Sequence, residues 1–158
     1  MTVTLKFDRD RSYFPLAGKL SDKFNGRLKL VIIAEVSEPQ TADIGLAILW
    51  KGTAHNMGHT VINFEEAGIH EIIGTWGEKE PPTIAEFIQQ FGEELPKETT
   101  EYPYSWLVGT LDGSQLTVHD KWDTSLLVEV PPFPWEIVLP MAGLAVAGLG
   151  LAIVMGRK

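Results

Sequence analysis

The residues that decide the fold are 27–36, RLKLVIIAEV, followed after a turn by 44–50, IGLAILW. In the first stretch Leu28, Leu30, Ile32, Ala34 and Val36 fall on every second position, and in the second Ile44, Leu46, Ile48 and Trp50 do the same. Side chains alternate across a strand, so each stretch presents one apolar face to a core. The pattern recurs outward from here. Val3, Leu5 and Phe7 alternate with Thr2, Thr4 and Lys6, and residues 59–65 and 70–76 read as two strands joined tightly at Ala67-Gly68. Residues 104–111 and 114–122 flank Asp112-Gly113, the strongest hairpin signal in the chain. A last strand is expected over 125–130.

One helix interrupts the series, over residues 83–92. Thr83 and Glu86 have capping-box spacing, and Ile84, Phe87, Ile88 and Phe91 form one apolar stripe. Gly92 and Pro96 end it. Seven or eight short strands with turn signals every ~8–12 residues predict a mainly β, two-sheet antiparallel sandwich over residues 1–130. The run 25–77 resembles the middle of an immunoglobulin-like or fibronectin-like domain, with Trp50 in the place of the core tryptophan. That resemblance implies an immunoglobulin-like sandwich carrying one inserted amphipathic helix; it lacks the paired cysteines of antibody domains and names no activity.

A different chemistry governs the C-terminal part. Residues 131–136 form a proline-rich neck with Pro131, Pro132 and Pro134, and no charged residue occurs from Ile137 to Met155. As a helix such a run is about 28 Å long, close to the hydrocarbon thickness of a bilayer. The sequence therefore predicts a single transmembrane helix over 137–156, with Trp135 at one interface and the basic tail of Arg157 and Lys158 (157–158) at the other. Gly148, Ala152 and Gly156 lie four apart, as do Gly143 and Ala147, a spacing that lets a second helix approach closely. Basic residues follow the span while Asp123, Glu129 and Glu136 precede it, so the positive-inside rule puts the C-terminus in the cytoplasm and the β domain outside. Residues 1–10 do not read as a basic-then-apolar leader, which favours the converse, tail-anchored arrangement with a cytoplasmic domain.

Charge and composition narrow the partners. The net charge of −8 disfavours nucleic acid, whose phosphates an acidic surface repels. The absence of cysteine excludes disulfides and thiolate metal sites. No G-x-S-x-G, P-loop or H-E-x-x-H occurs, and Gly148-Leu149-Gly150 follows no strand that would make it a dinucleotide fingerprint. Adjacent Glu65-Glu66 would point to opposite faces of a strand, and Glu93-Glu94, after the helix, is expected in solvent. The one candidate ligand set is His55, Met57 and His59. If extended, these residues share a side, with His70 close by, and imidazole plus thioether suits copper. If Gly52 and Gly58 mark a loop, they are ordinary surface residues. Trp50 and Trp76 are expected in the core, whereas Trp106 and Trp122 flank the hairpin as either a surface patch or a second core layer.

The sequence thus points to a non-enzymatic, single-pass membrane accessory subunit, without a cofactor, whose partners are the bilayer and integral membrane proteins of a larger complex. An extracytoplasmic copper-handling module and a membrane-anchored virion or cell-envelope protein are the alternatives.

Overall fold

Alternating apolar positions become two packed sheets in the computed structural model, which describes residues 2–24, 27–76, 80–130 and 152–156. Its strands are β1 (Val3–Phe7), β2 (Ala17–Lys19), β3 (Leu30–Val36), β4 (Gln40–Trp50), β5 (Thr53–Phe64), β6 (Gly68–Thr75), β7 (Thr100–Asp112), β8 (Gln115–Glu129) and β9 (Ala152–Gly156), with helix α1 (Ile84–Gln89) between β6 and β7. One sheet has the order β1-β3-β6-β9 and the other β2-β8-β7-β4-β5. All pairings are antiparallel except β2 with β8. The protein is mainly β.

The inward positions read from the sequence form the core. Leu30, Ile32, Ile44, Leu46, Ile48, Trp106 and Val108 are fully buried between the sheets. Trp50 and Trp76 are buried as expected. Trp106 lies directly opposite Trp122 in the β7–β8 pair. Trp122 packs against Phe7 and Phe14, and the Arg9 guanidinium sits 5.3 Å above its ring. The hairpin tryptophans are therefore part of the core and its margin.

Helix α1 closes one end of the sandwich. Its capping box is present: Glu86 N–H donates to Thr83 Oγ1 at 3.1 Å, and Thr83 N–H donates to Glu86 Oε1 at 3.0 Å. The other first-turn donors are used as well, Ile84 N–H on Asp22 O and Ala85 N–H on Leu20 O. Phe87 packs on Phe24 and Tyr104, and Phe91 stacks on Trp50 with ring centroids 4.6 Å apart. The helix stripe is thus spent on the open end of the sheets.

Strand boundaries differ from the sequence reading in informative ways. The expected strands 114–122 and 125–130 are one strand, β8. Asp112 pairs with Gln115, which makes Gly113-Ser114 the turn, with Gly113 at φ 66. Residues 65–67 form no hairpin; they carry the chain from the second sheet to the first. The stretch 52–58, which its glycines mark as a loop, lies mostly within β5, because the tight turn is Lys51-Gly52, where both residues have positive φ (48° and 83°). Positive φ at both central positions is what a two-residue type I′ hairpin requires.

The expected transmembrane helix over 137–156 falls largely outside the described residues. Its last five residues are not helical: Ala152–Gly156 is the strand β9, paired with β6 in the register Thr75↔Ala152 to Glu71↔Gly156. A branched aliphatic stretch such as Ile153-Val154 suits a strand edge as well as it suits lipid. Among the described residues no helix is long and apolar enough to cross a membrane.

Two β-bulges set the outer details. In β8 the register shifts so that Val108 pairs with Asp120 and Gly109 with Val118, leaving His119 as the extra residue. A bulge re-aims side chains. Here it turns His119 and Asp120 toward the free edge of β1. Leu5 N–H donates to His119 Nδ1 at 3.2 Å and Phe7 N–H to Asp120 Oδ2 at 2.9 Å. Accepting at Nδ1 leaves the proton on Nε2, which faces Thr110 Oγ1 at 3.4 Å. The bulge also needs glycine on its partner strand, since a Cβ at Gly109 would lie 1.9 Å from Thr117 O.

Two outcomes follow. Asp120→Ala orphans the Phe7 N–H and is expected to lower stability by about 1–3 kcal/mol, with hydrogen exchange of that amide accelerated more than those of β3. Gly109→Ala, which forces backbone apart, is expected to cost about 3 kcal/mol or more; urea unfolding measures both.

Candidate binding groove

The second bulge decides the fate of the histidine cluster. Along β4 and β5 the pairing runs Gly45↔His59, Leu46↔Gly58, and then Ala47↔Asn56 and Ile48↔His55, so Met57 is the extra residue. Inserting one residue reverses the facing of everything beyond it. His55 therefore shares the inward side with Ile48 and meets Phe91 edge-on, with ring centroids 5.0 Å apart. Met57 is buried in the core. His59 lies on the opposite, outward face, where its Nδ1 is 2.9 Å from Asp43 Oδ1. The stretch is extended, yet the three side chains do not share a side. His70 is elsewhere, against Phe64 and the Glu66 carbonyl. Among the described residues no group of three or more His, Cys, Asp or Glu could hold a metal ion.

What β4, β5, β7 and β8 build together on their outward face is an apolar groove of about 560 Å³. Gly45 and Ala47 form its floor, Leu107, Leu111, Leu116 and Val118 one wall, and Ala54, Asn56 and His59 the other. Gly45 makes the depression, because a Cβ there would come within 3.0 Å of Leu111 Cδ1 and 3.3 Å of Leu116 Cδ1. Val118 is 47% exposed on the rim. Among the described lining residues the sole titratable side chain is His59, already engaged by Asp43. The groove offers dispersion and apolar contact, with Asn56, His59, Ser114 and Gln115 as its polar lining. Its residues are the outward, every-second positions of strands whose sequence signal lies in their inward ones, so the groove leaves no pattern of its own.

A second, polar recess of about 580 Å³ lies where the β4–β5 turn meets the end of α1, lined by Trp50, Lys51, His55, Phe91, Glu93 and Glu94. Glu93 was expected in solvent. Instead its side chain is only 14% exposed, accepting from Trp50 Nε1 at 3.0 Å and pairing with Lys51 Nζ at 2.5 Å. Burial pushes this carboxyl up, but the hydrogen bonds from Lys51 and Trp50, with the Lys51 charge, outweigh burial and hold it below the usual carboxylate range. Both groups are consumed in tying the turn to the helix end. Glu94 beside it is exposed, as expected.

The remaining expected site residues lie at the C-terminus. Trp135, Gly143, Ala147, Gly148, Arg157 and Lys158 are outside the described residues, while Ala152 and Gly156 are the two ends of β9.

A carboxylate whose folded-state pKa is depressed stabilises the fold fully above its ordinary range, and that contribution disappears as pH falls through the lowered value. Lys51→Met is therefore expected to raise the pH midpoint of acid unfolding. At pH 7 it should change stability by less than about 1 kcal/mol, since Lys51 itself is largely exposed; circular dichroism across pH 2–7 (a range of about 5 units, spanning the carboxylates) reads both. Compared with models of known protein families and with curated proteins, the chain matches none.

Proposed function

We propose that this chain is a non-enzymatic, single-pass membrane accessory subunit, whose β domain binds or braces partner proteins of a larger membrane complex. The observation that carries the proposal is the uncharged run 137–155, bounded by Trp135 and by Arg157-Lys158. In the spanning form residues 152–156 belong to the helix and are released from β6. Gly143, Ala147, Gly148, Ala152 and Gly156 then present small-residue faces to neighbouring helices. The flanking charges favour a β domain on the outer side and a cytoplasmic C-terminus.

The groove supports the binding part of this reading. It is apolar at its floor, with Gly45, Ala47 and leucines exposed to an incoming side chain, and polar where Asn56, His59 and Gln115 line it. The strand order supports an immunoglobulin-like architecture: β1-β3-β6 follows A-B-E, and β8-β7-β4-β5 follows G-F-C-C′. Trp50 stands on the strand that corresponds to C, as the sequence pattern suggests. Such sandwiches serve widely as cell-surface recognition domains, which makes adhesion to a partner a natural use of the exposed sheet face.

Alkaline carbonate extraction of membranes tests the anchor. The full chain is expected to stay in the pellet, and a chain ending at Val130 to be released; release of the full chain would sink the proposal. The groove is tested by Val118→Glu. This variant should lose whatever protein co-purifies with the wild-type chain in mild detergent, while its unfolding midpoint moves by no more than a few degrees (a surface change of about 0.5 kcal/mol or less). Unchanged co-purification would move the binding surface elsewhere.

A further inference from the structure

We infer that the outer edge of β6 is a strand-acceptor site whose resident occupant is this chain's own residues 152–156, and that occupancy of this site and insertion of the tail into a bilayer exclude each other. The inference rests on the single-pass reading above.

An immunoglobulin-type sheet has the order A-B-E-D, and its fourth strand comes from chain lying before E. Here only residues 65–67 separate β5 from β6, too few to supply a strand. Among the described residues up to 130, no strand lies beside the outer edge of β6. In the sheet order β1-β3-β6-β9 that fourth place is taken by the last strand in the sequence.

The two edges of this sheet are finished differently. At β1 the outward N–H groups of Leu5 and Phe7 are capped by His119 and Asp120, which blocks a further strand. At β6 the edge from Glu71 to Thr75 is met instead by the backbone of β9. Ile69, just beyond the paired stretch, is 58% exposed. An edge met by main chain, with an exposed aliphatic residue beside it, is the form that accepts an added strand.

Length makes the two placements of these residues exclusive. If residues 152–156 are held on β6, the uncharged run is left with 137–151. As a helix that remainder measures about 22 Å, short of the ~30 Å hydrocarbon core. With 152–156 in the helix, the run reaches across. The same five residues therefore serve as edge strand or as the final turns of the span, and never both at once. Away from a membrane, residues 152–156 cover the β6 edge; on insertion the edge opens.

Because the chain has no cysteine, a cross-link reports this directly. Ile73 and Val154 are register partners, and paired residues of an antiparallel ladder lie within disulfide reach. The full chain carrying Ile73→Cys and Val154→Cys is made by cell-free synthesis, with or without phosphatidylcholine vesicles, and then oxidised. A Thr4→Cys/Glu35→Cys pair, partners in β1 and β3, controls for oxidation in both settings. The inference expects the 73–154 link in most molecules made without vesicles and at least tenfold less in carbonate-resistant, vesicle-bound molecules. Chain linked before vesicles are added should fail to become carbonate-resistant. Equal linking in integrated molecules, or no linking in water where the control pair closes, overturns the inference while leaving the anchor intact. If the reduced chain never becomes carbonate-resistant, the single-pass reading fails, and this inference with it.

Discussion

A strand at the border of a sheet carries a row of backbone N–H and C=O groups with no neighbour, and every such row must be met by water, by side chains or by another strand. In this sandwich that demand shapes more than the borders. The bulge at His119 exists where β8 passes β1, and it delivers two acceptors to the N–H groups of Leu5 and Phe7. The bulge in turn fixes Gly109, because the backbone of the opposite strand leaves no room for a Cβ. At the other border the same demand is met by main chain, with β9 on β6. The two sheets are thus held in one arrangement by their core and finished along their margins by two different devices.

The bulge in β5 shows how a single inserted residue redistributes chemistry. Without it His55 and His59 would share a face. With it one histidine turns inward to Phe91, Met57 enters the core, and the other histidine joins the wall of the outward groove. A sequence motif that resembles a ligand set is in this way converted into three separate structural roles. The groove itself arises from small residues, Gly45 and Ala47, set among leucines on the face of the sheet turned away from the core.

The inward half of the fold was legible in the sequence, because period-two alternation in β1, β3 and β4 and the Thr83–Glu86 box around α1 are local signals with local causes. Bulges were not legible. Whether His119 or Met57 is the extra residue depends on the partner strand, and no window of one strand carries that information. Glu93 illustrates the same limit: nothing near it in sequence announces that Trp50 and Lys51, brought round by a type I′ turn, will surround it. The groove was hidden for a related reason, since its floor consists of the alternate residues that an inward-facing pattern treats as surface. The unbroken apolar run 152–156 satisfies two patterns at once, since a short stretch of this kind suits a buried strand as well as the end of a helix.

The closure of β1 onto β8 also has a consequence in time. The bond from Leu5 N–H to His119 joins residues 114 apart in the chain. During synthesis at roughly 5–20 residues per second, the first strand is made on the order of ten seconds before its capping side chains leave the ribosome. Contacts of such separation come at a high loop-closure cost and slow folding. The outer edge of β1 is therefore made well before the side chains that cap it, and it stays open to water until β8 has been synthesised and folded against it.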